Sequence, residues 1–196
     1  MNRHLCSRFA LVVLASASFL GACGPSSRPA PPRPFSTLDL LIRPNEVNPQ
    51  WEVIAVPAAI RCSLRDFLYC LEASTTEARH DNTTTDHIVA QFESPRDAAR
   101  AYRDRGLAHD TLGEYASTWS APAGFTYVSP IADQFRAMCE TTRGMPPDLA
   151  LCVVEARYEE YFSIVFYTGP SRQTAVEEME MLARAVDAVM ETHLKD

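Results

Sequence analysis

Hydrophobic residues along the chain alternate between the spacing of strands and the spacing of helices. The polar stretch Thr75–Thr85 predicts a loop, and the long apolar run Leu151–Tyr167 exceeds the usual length of one strand, so we expect a turn near residues 158–161. Shorter runs rich in β-branched and aromatic residues predict strands at Trp51–Val56, His87–Phe92, Phe125–Val128 and Phe135–Glu140.

Two segments have the three- and four-residue spacing of amphipathic helices. The first follows Ser94-Pro95, in which Ser94 can cap the helix and Pro95 suits its first position. The second starts near Thr174 and Glu177, which fit a capping box, and its apolar stripe continues to Met190. These elements, with no Gly-rich phosphate loop, predict an α+β fold. We expect an antiparallel sheet that two amphipathic helices cover on one face, stapled by disulfides.

The N-terminal residues have the pattern of a secretory signal. Basic Arg3 and Arg8 precede an apolar run that ends at Leu20, and small residues follow. The run is too short to span a bilayer as a permanent helix. The sequence Leu20-Gly21-Ala22-Cys23 then resembles the lipobox of bacterial lipoproteins. An ordinary cleaved signal with an incidental cysteine is the alternative.

The lipobox resemblance implies a membrane anchor. It implies that residues 1–22 are removed as a signal peptide and that Cys23 carries two or three acyl chains such as palmitate, which hold a protein firmly in a membrane. Gly24 stands where an aspartate would favour the inner membrane, so the resemblance implies an outer-membrane or outer-surface location. The domain would then lie in the periplasm or outside the cell.

A proline-rich segment follows the predicted anchor. Five prolines lie between Gly24 and Thr37, a composition that favours extended polyproline II and cannot form a core. We therefore divide the chain into a signal peptide (1–22), an acylated cysteine with its tether (23–37) and a single α+β domain (38–196).

The charge balance argues against nucleic acid as a partner. Cleavage would remove Arg3 and Arg8 from the 18 basic residues and none of the 25 acidic residues, so the mature chain is more acidic than the formal charge of −7. Phosphate binding needs clustered positive charge, and the arginines form no run. The acidic surface also gives little attraction to anionic lipid headgroups.

The remaining cysteines predict disulfides. Cys6 lies in the signal and Cys23 would be acylated, which leaves an even number in an oxidising compartment. Of the three possible pairings, the local one is favoured, and a zinc site is the rival although close C-x-x-C pairs are missing. The four cysteines are Cys62, Cys70, Cys139 and Cys152.

Residues that could carry catalysis are few. The pairs His80-Asp81 and His109-Asp110 are the type that some metal-dependent phosphohydrolases use, but both lie in polar segments without further ligands. We therefore expect no catalytic site, no metal and no cofactor.

A group of aromatic residues can line a ligand cleft or pack in the core, and core packing is favoured. These are Trp119, Tyr158, Tyr161, Phe162, Phe166 and Tyr167.

The order of elements is similar to that of a known group of domains. Leu40–Val47, a strand that enters the helix start Ser94–Ala99, cysteine pairs and a closing helix resemble the extracellular sensor domains of mycobacterial serine/threonine kinases and related lipoproteins. The cysteine positions differ from that pattern.

The resemblance and the anchor together predict a lipid-anchored envelope protein with a non-catalytic, sensor-like domain that binds a partner protein or an apolar ligand. The alternatives are an accessory subunit of a membrane complex and an envelope hydrolase whose site assembles from dispersed residues.

Overall fold

One antiparallel sheet organises the part of the chain that the structure describes. The structure is a computed structural model that describes residues 28–62, 70–105, 118–141 and 150–195. Within these ranges seven strands pair in the order β1-β2-β3-β7-β6-β5-β4. The strands are β1 (Glu52–Ile60), β2 (Cys70–His80), β3 (Thr83–Phe92), β4 (Thr118–Ser120), β5 (Gln134–Thr141), β6 (Ala150–Tyr158) and β7 (Tyr161–Gly169). The helices are α1 (Pro44–Val47), α2 (Pro95–Arg105) and α3 (Arg172–Leu194).

The structure confirms the α+β class, the antiparallel sheet and the disulfides. Cys62 and Cys70 join the end of β1 to the start of β2, with their Cα atoms 5.7 Å apart. Cys139 and Cys152 are direct partners on β5 and β6, with their Cα atoms 4.0 Å apart. No helix in the described ranges is long and apolar enough to cross a membrane.

Two local predictions are wrong. Thr75–Thr85 is not a loop, because it belongs to the β2–β3 hairpin, whose turn places Asp81 at a φ of 50°. Phe125–Val128 is not a strand, because its backbone amides bond to a glutamate of α3 rather than to a neighbouring strand. The expected turn near residues 158–161 is present between β6 and β7, with Glu159 at a φ of 51°.

The two long helices lie on opposite faces of the sheet. Phe162 and Ile164 of β7 pack in a cluster with α2, whereas Tyr161, Val165 and Tyr167 pack in a second cluster with α3. Successive side chains of a strand point to opposite faces, so α2 and α3 cover different faces. The expectation that both helices cover one face is therefore wrong. β6 and β7 are buried on both faces and need cover on each.

The segment before α1 packs on the face that α3 occupies. We call residues 30–42 the N-terminal strap. Its first contact is a hydrogen bond from the backbone N–H of Ala30 to the carbonyl oxygen of Glu93, with N and O 2.8 Å apart. Arg33 Nε then donates to Glu160 Oε1 at 2.9 Å, and the ring of Phe35 lies 6.0 Å from that of Tyr161.

The strap continues into the core. The hydroxyl of Thr37 is buried and bonds to Glu72 and Ser74, at oxygen–oxygen distances of 2.9 Å and 2.7 Å. Leu40 and Ile42 are almost fully buried. The last part of the proline-rich segment is therefore docked on the sheet.

His87 connects the strap to the centre of the sheet. Its Nδ1 accepts a hydrogen bond from the backbone N–H of Ile42 at 3.1 Å, so the ring proton lies on Nε2, which donates to Ser163 Oγ at 2.9 Å. The ring is 1% exposed, and burial lowers the pKa of His87 to about 3. The folded protein therefore keeps this histidine neutral at pH values where an unfolded chain protonates it.

We predict that His87 makes the protein less stable in mild acid. Below a pH of about 6.5 the unfolded chain binds a proton at this residue and the folded chain does not until a pH near 3. The free energy of unfolding should then fall by up to about 1.4 kcal/mol per pH unit through this histidine as the pH decreases from 6 to 4.5. His87→Gln should remove that part of the slope in urea unfolding measured across this pH range.

His80→Gln, a change at the β2–β3 turn, is the matched control and should keep the slope of the native protein. An equal pH dependence in the native protein and in His87→Gln would contradict the prediction.

Candidate functional site

Carboxylates of α3 hold the segment that connects β4 to β5. This segment, residues 121–133, is called the β4–β5 segment. Glu180 accepts hydrogen bonds from the backbone N–H groups of Thr126 and Tyr127 and from the Thr126 hydroxyl. The backbone hydrogen bond from Thr126 is the main cause that lowers the pKa of Glu180. The ionised side chain therefore supplies the acceptors that a neighbouring strand would otherwise supply.

A second carboxylate holds the same segment from inside the core. Asp187 is 6% exposed and accepts hydrogen bonds from three hydroxyl groups. Ser129 Oγ lies 2.8 Å and Tyr158 Oη 2.5 Å from Asp187 Oδ1, and Tyr127 donates to Oδ2. Burial, and then the hydrogen bond to Asp187, raise the pKa of both tyrosines. All three hydroxyl groups donate to this one carboxylate. These four residues, called the Asp187 group, therefore hold the β4–β5 segment against α3.

A cavity of about 660 Å³ lies between the start of the β4–β5 segment and the first turns of α3. We call it the α3 cavity. Gly124 has a φ of 87°, which favours glycine, and an added Cβ there would meet no atom within 4 Å, so this turn borders open space. The cavity is lined by residues 120–124, Cys139, Gln173, Val176 and Glu177.

The chemistry of the α3 cavity suits a mostly apolar molecule. Its walls include the small apolar side chains of Ala121, Pro122 and Ala123, together with Val176, and the Cys139–Cys152 disulfide reaches it through Cys139. The exposed side chains of Glu177, Gln173 and Ser120 supply one negative charge, one amide and one hydroxyl group. Pockets of 300–1,000 Å³ with apolar walls and a few polar groups are typical of sites for small molecules.

A smaller cavity of about 180 Å³ lies near the other end of α3, where Ile131, Tyr158, Met190 and Leu194 line it. It borders the Asp187 group. The described ranges contain no cluster of three or more His, Cys, Asp or Glu side chains that could hold a metal ion.

The residues singled out from the sequence do not converge on the α3 cavity. Cys23 and His109-Asp110 lie outside the described residues, and His80-Asp81 lies at the β2–β3 turn. Of the four cysteines that the structure describes, Cys139 alone lines the cavity, and Cys62–Cys70 lies between β1 and β2. The aromatic residues are mostly core: Tyr158, Tyr161, Phe162 and Tyr167 are buried, whereas Trp119 and Phe166 are half-buried.

The residues that do line the cavity had only a weak signal in the sequence. Residues 120–124 read as Ser-Ala-Pro-Ala-Gly, small and turn-forming, which indicates a connection but not what lies beside it. Gln173, Val176 and Glu177 recur at helical spacing at the start of α3. Neither stretch of sequence indicates that residues 120–124 face the start of α3.

No protein-family model matches this chain, and no curated protein matches it. Among solved structures, it is similar to the extracellular domain of PknH from Mycobacterium tuberculosis, with 11% sequence identity and a TM-score of 0.52. That match covers 78% of this chain and 93% of the other. The two chains share a fold. The resemblance expected from the order of elements is thereby confirmed at the level of the fold.

An uncharacterised protein from Mycobacterium smegmatis is also similar, with 12% identity and a TM-score of 0.38 over 74% of this chain and 97% of that one.

We predict that Asp187→Ala lowers the free energy of unfolding by about 3 kcal/mol, because two buried or partly buried tyrosines and a serine lose their acceptor. Urea unfolding at neutral pH measures the change. Glu191→Ala, one turn further along α3, removes a carboxylate that pairs with Lys195 at the surface and should cost less than about 1 kcal/mol. Equal costs for the two variants would show that the Asp187 group does not fasten the segment.

Proposed function

We propose that this protein is a lipid-anchored lipoprotein of the cell envelope whose domain binds an apolar ligand, or an apolar side chain of a partner protein, in the α3 cavity. The observation that carries the binding role is the α3 cavity itself, with its small apolar side chains and the polar side chains of Ser120, Gln173 and Glu177. A cavity of this kind is the usual form of a small-molecule site. The domain does not catalyse a reaction on the ligand.

The non-catalytic role is supported by where two buried titratable side chains lie. His87 is buried under the strap, where both ring nitrogens are hydrogen-bonded. Asp187 is occupied by its three hydroxyl donors. Catalytic acids and bases usually have shifted pKa values and open onto a cleft. Both side chains therefore belong to the core, and neither lines the α3 cavity.

The location outside the cytoplasm is supported by the two disulfides, since such bonds persist in oxidising compartments. The shared fold with an extracellular domain agrees with this location. The lipobox at Leu20–Cys23 supplies the anchor, and Gly24 favours the outer membrane or outer surface.

We predict that the neutral apolar dye Nile red binds the full-length protein saturably, with increased fluorescence. Val176→Trp should weaken this binding by about tenfold, which corresponds to ~1.4 kcal/mol, because the indole ring fills the α3 cavity. Fluorescence titration of the purified protein in detergent micelles, corrected for dye in the micelles, measures the affinity.

Thr192→Trp is the matched control for this titration. It adds the same side chain to an exposed position near the far end of α3 that does not line the α3 cavity, and it should leave the affinity unchanged. Equal affinities for the native protein and for Val176→Trp would reject the α3 cavity as the binding site.

We predict that Cys23→Ser releases the protein from membranes, because no thiol remains for acylation. Fractionation of cells and vesicle flotation measure the release. Cys6→Ser, a change within the predicted signal, should leave the membrane-bound fraction unchanged. An unchanged membrane-bound fraction for Cys23→Ser would contradict the anchor.

A further inference from the structure

The strap docks at one end of the sheet. This end, called the proximal end, is formed by the start of β2, the end of β3 and the β6–β7 turn. Ala30 bonds to Glu93, which follows β3, and Arg33 bonds to Glu160 in the β6–β7 turn. The chain therefore enters the described domain at the proximal end.

The α3 cavity lies at the opposite end. Cys139, which lines the cavity, pairs with Cys152, and Cys152 in turn pairs with Tyr167 of β7. Tyr167 is six residues along β7 from Tyr161, where Phe35 of the strap packs. At about 3.3 Å per residue this separation is ~20 Å. The first turn of α3, which also lines the cavity, begins just after β7 ends.

The contacts of the strap are of a kind that resists release. The side chains of Arg33 and Glu160 are 12% and 1% exposed, so removal of the arginine leaves a buried carboxylate without its cation. The hydrogen bond to Glu160 is the main cause that raises the pKa of Arg33. The backbone N–H of Ile42 and the hydroxyl of Thr37 are also bonded to buried side chains. The strap is thus part of the folded domain and not a free tether.

The linker between the predicted anchor and the strap is short. Ala30 is the seventh residue after Cys23, and seven residues span at most about 25 Å when fully extended. An anchored domain therefore keeps its proximal end within about 25 Å of the lipid surface, and the cavity lies ~20 Å from that end along the sheet.

We propose that the docked strap orients the anchored domain so that the α3 cavity opens away from the membrane and takes its ligand from the aqueous phase, not from the bilayer. This inference rests on the proposed function, since it needs both the anchor at Cys23 and the binding role of the cavity. It adds the direction of access and excludes membrane lipid as the ligand source.

Energy transfer from tryptophan to dansyl-labelled headgroups tests the orientation. Acylated full-length protein is reconstituted into phosphatidylcholine vesicles that contain dansyl-phosphatidylethanolamine. Leu71→Trp places a donor at the proximal end, and Arg79→Trp places one eight residues further along the same strand. Both positions are exposed, and they are ~26 Å apart along β2. Each variant adds its donor to the native Trp51 and Trp119 background, which is subtracted.

We expect several-fold more transfer from Leu71→Trp than from Arg79→Trp, because transfer falls steeply with distance. Equal transfer at the two positions, or more transfer from Arg79→Trp, would overturn the orientation.

The outcomes separate this inference from the function on which it rests. Failure of the protein to float with vesicles would reject the anchor, and the orientation with it, before any transfer is measured. Loss of Nile red binding in Val176→Trp together with equal transfer at positions 71 and 79 would keep the binding role and reject the orientation.

Discussion

The burial of the β6–β7 hairpin on both faces is the constraint on which the rest of the structure depends. Almost every residue of β6 and β7 is buried, and consecutive residues point to opposite sides. Each face therefore needs its own cover. α2 supplies one cover and α3 the other, while the strap extends the α3 side over β2 and β3, and α1 contacts β1 and α3. If one face of this strand pair were polar and exposed to solvent, one of the two helices would have no apolar surface on which to pack.

The irregular segments are held to this core by buried polar side chains. The β4–β5 segment is fastened to α3 by Glu180 and Asp187, and the strap is fastened to the sheet by Glu160 and His87. Irregular backbone cannot satisfy its polar groups within a ladder, so side-chain acceptors replace the missing partners. Both segments matter for the proposed function, because one forms a wall of the cavity and the other leads to the proposed anchor.

Local patterns predicted the parts of the fold that local physics determines. The turn near Glu159, the strand at His87–Phe92 and the helix after Pro95 follow from alternation, turn residues and capping. The errors concern partners that lie far away in sequence. Thr76, Thr83 and Thr85 are polar and nevertheless buried in a hairpin, and Phe125–Val128 has the composition of a strand but bonds to Glu180. The α3 cavity could not be predicted for the same reason, because its two walls are brought together only by contacts along α3.

The residues that line the α3 cavity are separate from those that hold its wall in place. Ala121, Pro122 and Ala123 face the cavity, whereas the backbone of Thr126 and Tyr127 carries the hydrogen bonds to α3. Exchange of the lining side chains therefore leaves the attachment of the wall intact. Under the proposed function, ligand specificity can therefore change during evolution through substitutions at a few small residues, without loss of the scaffold.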